Sequence, residues 1–206
     1  MMAIRRRVLM AQKKKRLPSE YQEVEYIISN DGARIDTDIS IGSAEENFTN
    51  PFVFDLDCVA ESFMTGTTNI IVSFTDNGSA ATWYGVISSL QLTVDGGINS
   101  TALLSNRKVV RMEYYGKSCN VIIDGETITR TRTMYPVSKL MLFGTGSYRS
   151  NVRCYSAILY HGDDKLAEFV PCYRRSDGEI GLYDIVRDRF FANANTTGTF
   201  TKGANV

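Results

Sequence analysis

Hydrophobic and polar residues alternate with a period of two along most of the chain after Pro18. In residues 52–59, Phe, Phe, Leu and Cys alternate with Val, Asp, Asp and Val, and similar alternation recurs in residues 70–75, 110–115 and 152–160. Such alternation is typical of a β-strand that buries one face in a core. The pattern predicts many short strands, with Asp55 and Asp57 on the solvent face of theirs.

Turn sequences separate these segments. Asp or Asn next to Gly favours a turn with positive φ, and this combination occurs at Asn30-Asp31-Gly32, Asp76-Asn77-Gly78, Asp95-Gly96-Gly97, Asp124-Gly125 and Asp177-Gly178. Residues 109–115 and 118–123 form a predicted hairpin, and Asp124-Gly125 then leads into 126–133. Beyond residue 17 no stretch has a convincing helical pattern, so we predict an all-β antiparallel sandwich or jelly roll.

The first 17 residues differ from the rest in charge. Seven of the 23 cations lie there without an acid, which leaves 16 cations against 23 acids in residues 18–206. Good helix formers fill positions 3–16, so an extended arm or a helix of about four turns fits. We expect this arm to bind a partner of negative charge, although a frayed tail that only aids solubility fits too. The predicted binding residues are Arg5, Arg6, Arg7, Lys13, Lys14, Lys15 and Arg16.

Composition narrows the candidate chemistry. The four cysteines are widely spaced and the chain has one histidine, so a zinc site is not expected. We expect the cysteines to be buried, reduced thiols. Whether Cys58 and Cys154 meet across the sandwich stays open. A calcium ion could bind among Asp76, Asn77 and Asp95, but the sequence has no Asp-x-Asp-x-Asp-Gly loop to support such a site. The sequence has no Walker or dinucleotide-binding glycine loop, so no cofactor is predicted. No apolar run approaches the roughly 18 residues of a spanning helix, so a membrane is not predicted as a partner.

Two segments carry a resemblance to a known family. LPSEYQEVEYIISNDGARIDTDI, and a terminal block with Phe-Val-Pro-Cys-Tyr, Ser-Asp-Gly, Gly-Leu-Tyr-Asp and Gly-Thr-Phe, resemble the concanavalin A-like, laminin-G-like jelly rolls of bacteriophage structural and bacterial surface proteins. The resemblance covers about residues 17–203. It implies a two-sheet antiparallel jelly roll over 18–206, with 1–17 as an anchoring arm. In the terminal block we expect a strand to end at Phe169-Val170, Pro171 to block pairing, and Leu182 to lie in the core.

The resemblance implies a non-enzymatic bacteriophage virion structural protein, of the capsid-decoration or tail-fibre type. Such a protein is assembled in the host cytoplasm, is expected to be a homo-oligomer, and would contact other virion proteins through its arm. Nucleic acid is not expected as a partner, because the acidic body would oppose it.

The alternative is a carbohydrate-binding, lectin-like module or host adhesin that binds a surface glycan. Its candidate residues are Trp83, Tyr84 and Tyr148, although a single tryptophan also suits a core position. Catalysis is not predicted. Asp55, Asp57 and Glu61 depart in spacing from the single-strand carboxylate motif of the glucanases with this fold, and Cys172 has no histidine base nearby in the sequence.

Overall fold

The computed structural model describes residues 17–40, 49–62, 69–74, 84–88, 91–94, 98–103, 106–115, 118–131, 139–145 and 148–206. For most of residues 69–103 and for 148–149 it describes the backbone alone. All regular structure in these ranges is β-strand, which confirms the predicted all-β class. A helix with the length and apolarity to cross a membrane is not found in them. The predicted boundary at residue 17 stays a prediction, since residues 1–16 lie outside this description.

The strands are numbered here in chain order. They are β1 (Tyr21–Glu23), β2 (Ile27–Asn30), β3 (Ile35–Asp36), β4 (Phe52–Ser62), β5 (Asn69–Phe74), β6 (Tyr84–Ser88), β7 (Gln91–Val94), β8 (Ile98–Leu103), β9 (Lys108–Tyr114), β10 (Ser118–Ile123), β11 (Glu126–Thr131), β12 (Leu140–Leu142), β13 (Gly144–Thr145), β14 (Tyr148–Arg149), β15 (Asn151–His161), β16 (Asp164–Arg174), β17 (Ile180–Asp184), β18 (Arg189–Ala192) and β19 (Thr199–Lys202).

Two antiparallel sheets form a jelly-roll sandwich. The large sheet contains 11 of the described strands in the order β11-β10-β9-β4-β15-β16-β17-β18, with β1, β2 and β19 joined beside this path. The small sheet has the order β3-β12-β5-β6-β7-β8, and β13 pairs with β14. Because one face of each central strand must be buried against the other sheet, the alternation in the sequence converts directly into a core face and a solvent face.

The core confirms the predicted alternation. Along β4 the side chains of Phe54, Leu56 and Cys58 are fully or almost fully buried, and between them Asp55 and Asp57 are only partly buried. Inward residues of β9, β15 and β12 complete one hydrophobic cluster, which also contains Leu182 as predicted. The predicted turns at Asp124-Gly125 and at Gly178 also form, with positive φ angles of 53°, 82° and 74°.

The large sheet divides between β15 and β16. Residues Ala157–His161 of β15 pair with β16, but the first half of β15 pairs with β2, and the last three residues of β16 pair with β1. The prediction that a strand ends at Phe169-Val170 was wrong, because β16 runs on to Arg174. Pro171 lies where the strand beside β16 changes from β15 to β1, so its missing N–H costs no hydrogen bond of the sheet. The carbonyl oxygen of Pro171 accepts a hydrogen bond of 3.0 Å from Val24 N.

All four cysteines are free and buried. Cys58 and Cys154 are directly paired on β4 and β15, so they are neighbours within one sheet and do not meet across the sandwich. Burial raises the pKa of the Cys58 thiol and of the Cys172 thiol to about 12, and it raises the pKa of Cys154 well above its usual value. At neutral pH these three thiols are therefore protonated and shielded, which leaves Cys172 unsuited to act as a nucleophile.

We expect the native thiols to resist alkylation. Iodoacetamide at neutral pH should leave the folded chain unmodified by mass spectrometry, because the reagent needs an accessible thiolate. The same treatment in denaturant should modify all four cysteines. Rapid modification of any of them in the folded chain would contradict the burial described here.

Candidate functional site

The solvent-facing surface of the large sheet, here called the outer face, carries a dense group of ionisable side chains. It is formed by the outward residues of three adjacent central strands, β9, β4 and β15. Alternation with buried residues of the same strand places most of them there, and a register shift in β15 between Cys154 and Ser156 brings Tyr160 to this face as well. The outer face includes Asp55, Asp57, Glu61, Arg111, Glu113, Arg153, Tyr155 and Tyr160.

Arg111 joins two carboxyl groups at the centre of the outer face. It lies directly opposite Asp55 across the β4–β9 pair, with 3.2 Å between its Nη1 and Oδ2 of Asp55. Its Nε donates a bond of 3.1 Å to Oε1 of Glu113 on its own strand. Glu113 also accepts bonds from the Tyr115 hydroxyl at 3.2 Å and from Asn120 Nδ2 at 3.4 Å. One guanidinium thus holds two carboxyl groups in different environments.

These environments shift the two pKa values in opposite directions. Burial raises the pKa of Asp55, and Glu113 raises it further, while the attraction of Arg111 only partly offsets these effects. Burial also opposes the charge of Glu113, but the hydrogen bonds from Arg111, Asn120 and Tyr115 outweigh it and lower the pKa of Glu113. The two environments therefore favour the protonated form of Asp55 and the ionised form of Glu113, which is the direction that an acid and a base acting together require.

A shallow depression opens beside Asp55. It has a volume of about 230 Å³ and is lined by Val53, Asp55, Arg111, Tyr160, Gly162 and Asp163. Tyr160 lies on β15 opposite Val53, and Gly162 follows directly after that strand with a φ of 58°. The depression therefore gives a bound molecule access to Asp55 and Arg111 together with an aromatic ring.

A second and larger depression, the fork groove, lies where β15 and β16 separate. Its volume is about 430 Å³. The connection between β1 and β2 crosses the gap, because neither β15 nor β16 continues its pairing there. The lining carries the carboxyl groups of Glu23, Glu25 and Glu168, the rings of Tyr26 and Tyr155, and Arg107.

Stacked arginine and tyrosine side chains form one side of the fork groove. The Arg107 guanidinium lies 3.8 Å from the Tyr155 ring centroid, and that of Arg153 lies 4.4 Å from the Tyr26 ring centroid. The two rings meet edge to face at 5.5 Å. Asp57 accepts bonds of 2.9 and 2.6 Å from Arg107, and Glu61 lies 2.5 Å from Arg153. Both cations are thus already neutralised by carboxylates from β4.

Carboxylates outnumber cations on the described part of the outer face and the fork groove. The carboxylates are Asp55, Asp57, Glu61, Glu113, Glu23, Glu25 and Glu168, and the cations are Arg107, Arg111, Arg153 and Lys165. A polyanionic ligand would meet net repulsion here, whereas a neutral or cationic ligand would not.

The residues predicted from the sequence do not contribute to this surface as far as the structure describes them. The seven basic arm residues, Arg5, Arg6, Arg7, Lys13, Lys14, Lys15 and Arg16, lie outside the described residues, as do Trp83, Asp76, Asn77 and Asp95. Tyr84 and Tyr148 lie on β6 and β14, neither of which belongs to the large sheet. In the described ranges there is no group of three or more His, Cys, Asp or Glu residues placed to hold a metal ion.

The sequence contained a signal for the outer-face residues that the prediction did not use. Alternation in residues 110–115 puts Arg111 and Glu113 on a solvent face. Strict alternation in 152–160 instead groups Tyr160 with the buried Cys154, and a register shift between Cys154 and Ser156 turns Tyr160 outward. That these residues lie next to Asp55 depends on which strands pair, and alternation within a single strand does not give this information.

Comparisons with known proteins give only distant likenesses. No protein-family model matches the chain, and no curated protein matches it. Among solved structures, the alignment with a family 7 alginate lyase, A1-II′, in complex with its substrate GGMG covers 62% of this chain and 65% of the enzyme, with 13% sequence identity and a TM-score of 0.41. The alignment with another structure of alginate lyase A1-II′, a member of polysaccharide lyase family 7, covers 57% of this chain and 64% of the enzyme, with 14% identity and a TM-score of 0.40. For a cysteine variant of that enzyme the coverage is 61% of this chain and 66% of the enzyme, with 13% identity and a TM-score of 0.41.

These neighbours are enzymes. This finding contradicts two predictions, that the chain is a non-enzymatic virion structural protein and that it is not an enzyme. The first prediction rested on the resemblance of residues 17–39 and of the terminal block, and the second rested also on the spacing of Asp55, Asp57 and Glu61. The part of the block from Phe169 to Asp184 consists of strand and turn residues, so it reports architecture and not function. The homo-oligomer, the partners and the virion location stay predictions.

Proposed function

We propose that this protein cleaves a carbohydrate chain that binds across the outer face, with Asp55 as the proton donor and Glu113 as the base. One observation carries the proposal: Arg111 joins these two carboxyl groups, lines an open depression together with Asp55, and the pKa values of the two carboxyl groups are shifted in opposite directions. The likeness to the lyases is too distant to support it.

The spacing of the two carboxyl groups suits hydrolysis. Asp55 lies opposite Arg111, and Glu113 is two residues further along β9, which makes Asp55 and Glu113 a diagonal cross-strand pair. Diagonal neighbours are roughly 7–8 Å apart at the backbone, with their Cβ atoms somewhat closer. Side chains at such positions can reach the separation of about 6.5–9.5 Å at which inverting glycosidases hold their carboxyl groups to accommodate a water molecule. The motif expected along β4 alone is therefore not needed, because the second carboxyl group comes from the neighbouring strand.

The proposed step is a single displacement. Asp55 gives its proton to the glycosidic oxygen as the bond from that oxygen to the anomeric carbon breaks. Glu113 takes a proton from a water molecule, whose oxygen forms the new bond to the anomeric carbon. Arg111, which contacts both carboxyl groups, stabilises the negative charge as it moves from Glu113 to Asp55.

The substrate class follows from charge and from the rings on the outer face. Since carboxylates are in excess, a neutral or amino-sugar polysaccharide fits better than a polyuronate such as alginate. Tyr160 lines the depression beside Asp55, and Tyr155 stands further along the same strand at the fork groove. Tyrosine rings pack against sugar rings and offer a hydroxyl group at their edge.

A substrate panel tests this proposal. The full chain is incubated with neutral, amino-sugar and uronate polysaccharides, alginate included, and two products are measured: new reducing ends and unsaturated sugar ends. We expect reducing ends without unsaturation from a neutral or amino-sugar chain. Unsaturated ends would show elimination instead of hydrolysis, and binding without cleavage of any substrate would support the lectin-like alternative. Either outcome would overturn the proposal.

A further inference from the structure

The depression beside Asp55 is lined by a further carboxyl group, that of Asp163, which the proposed chemistry does not use. We propose that the depression binds a sugar unit with a free, protonated amino group, which pairs with Asp163 and packs against the ring of Tyr160. The inference rests on the proposed function for the choice of a sugar as the ligand. It narrows that sugar to one class, the amino sugars whose amine is not acylated.

The turn between β15 and β16 holds Asp163 at the rim of the depression. Gly162 and Asp163 alone connect the two strands, which are paired with each other up to this turn. Gly162 N donates a hydrogen bond of 3.1 Å to Pro51 O. The ring of His161 stacks on that of Phe52, with 4.3 Å between the ring centroids. Both contacts fasten the turn to the start of β4, so Asp163 keeps its place in the lining.

The carboxyl group of Asp163 has no counter-ion in the part of the chain that the structure describes. Its side chain is exposed and forms neither an ion pair nor a hydrogen bond with the described residues. The nearest lysine or arginine along the chain is Lys165, and its Nζ is already 2.6 Å from Oε2 of Glu168. The negative charge of Asp163 is therefore available to a ligand.

The charge balance of the site favours a cationic ligand. Arg111 lies 3.2 Å from Oδ2 of Asp55 and 3.1 Å from Oε1 of Glu113. When Asp55 holds its proton, as the proposed step requires, the charges of Arg111 and Glu113 balance, and that of Asp163 is left over. A protonated amine supplies the missing positive charge, whereas a neutral sugar leaves Asp163 unpaired and a uronate adds a second negative charge.

The ring of Tyr160 is open to the same ligand. The guanidinium groups of Arg107 and Arg153 already cover the rings of Tyr155 and Tyr26, at 3.8 and 4.4 Å from the ring centroids. In the described ranges neither a cation nor a second ring contacts the ring of Tyr160, which lines the depression. An ammonium group within about 6 Å of an aromatic ring is attracted to its face. A free carboxylate and an open ring in one depression thus suit an amino sugar.

An NMR titration of the full chain with three monosaccharides tests the proposal. The ligands are glucosamine below the pH at which its amine loses its proton, N-acetylglucosamine, and glucose. None of them contains a glycosidic bond, so binding is measured apart from cleavage. We expect glucosamine to shift the amide signals of Gly162 and Asp163 with a dissociation constant about fivefold lower than that of the other two sugars, the size expected of an exposed ion pair.

A matched pair of variants checks the role of Asp163. In Asp163→Asn the affinity for glucosamine should fall to that for glucose, and the affinity for glucose should not change. Asp164→Asn removes the same charge at the next residue, which is not part of the lining, and should keep the preference for glucosamine. A preference that persists in Asp163→Asn would overturn the proposal, and so would equal affinities for glucosamine and glucose in the unmodified chain.

The substrate panel separates this inference from the proposed function. A preference for glucosamine that depends on Asp163, without cleavage of any polysaccharide, would support this inference and overturn the proposed function. Cleavage of a neutral polysaccharide by a chain that shows no preference for glucosamine would support the proposed function and overturn this inference.

Discussion

The substitution Asp55→Asn is expected to lower the rate of polysaccharide cleavage by about 10²–10⁴-fold, the usual contribution of a general acid. Asparagine keeps the shape of the side chain but has no proton to give to the leaving oxygen. The measurement is the release of reducing ends from the best substrate of the panel. Asp31→Asn, which removes an exposed carboxyl group in a turn, is the matched control and should keep full activity.

The same variant should stay folded. A carboxyl group with a raised pKa in the folded state binds its proton more tightly there than in the unfolded chain, so its ionisation at neutral pH opposes folding. Removing that charge is therefore not expected to lower the free energy of unfolding at neutral pH. An Asp55→Asn protein that is folded and fully active would contradict the proposed role of Asp55.

The pH dependence of the wild-type rate provides a second check on the pair. The rate should fall as pH rises through the raised pKa of Asp55, because the acid then loses its proton. It should also fall at low pH, through the lowered pKa of Glu113, because the base then becomes protonated. In Asp55→Asn the fall on the alkaline side should disappear from the residual activity. A rate that rises steadily with pH would not fit these assignments.

The substitution Gly198→Ala should lower the free energy of unfolding by about 3 kcal/mol or more, the upper end of the range for overpacking. An added Cβ would lie 2.0 Å from Ala33 N and 2.5 Å from the carbonyl carbon of Gly32. Both contacts are with backbone, so no side chain can rotate away. Hydrogen bonds hold the two segments together: Asn195 Nδ2 donates a bond of 2.8 Å to Gly32 O, and Ala194 N donates one of 2.9 Å to Arg34 O.

Denaturant unfolding measures this effect, and Gly178→Ala is its control. Gly178 has a φ of 74° but no atom within 4 Å of an added Cβ, so alanine there should cost only about 1–2 kcal/mol of backbone strain. The Gly198 variant should unfold at a clearly lower denaturant concentration. Equal midpoints for the two variants would contradict the close approach of the segments around Gly32 and Gly198.

Much of the large sheet was predictable from alternation and turn chemistry. The β4 segment 52–59 was predicted as a strand with one buried face, and it is. The β15 segment 152–160 is also a strand, but a register shift between Cys154 and Ser156 exchanges its faces, so Ala157 and Leu159 are buried. The positive φ angles at Asp124 and Gly125 follow from residue types that tolerate them. Leu182 could be placed in the core because it is an apolar residue in a short segment that follows a turn.

What the sequence did not provide was the identity of neighbouring strands. Asp55 and Asp57 were correctly placed on a solvent face, but their chemistry was judged along one strand, while the partner Glu113 stands on β9. Likewise, Cys58 and Cys154 were both expected to be buried, but alternation does not say whether two inward residues share a sheet. Pro171 was taken as a strand end because a change of neighbouring strand leaves no mark in the local sequence.

The most direct test of the central claim is an NMR titration of the side-chain carboxyl carbons of Asp55 and Glu113. We expect Asp55 to titrate above its usual value of 3.8 and Glu113 below its usual value of 4.5. The account also requires Asp55 to titrate at a higher pH than Glu113, because only then does Arg111 hold one protonated and one ionised carboxyl group between the two pKa values. If instead Asp55 titrates at or below its usual value, the outer face has no proton donor at this position, and the proposed cleavage chemistry is wrong.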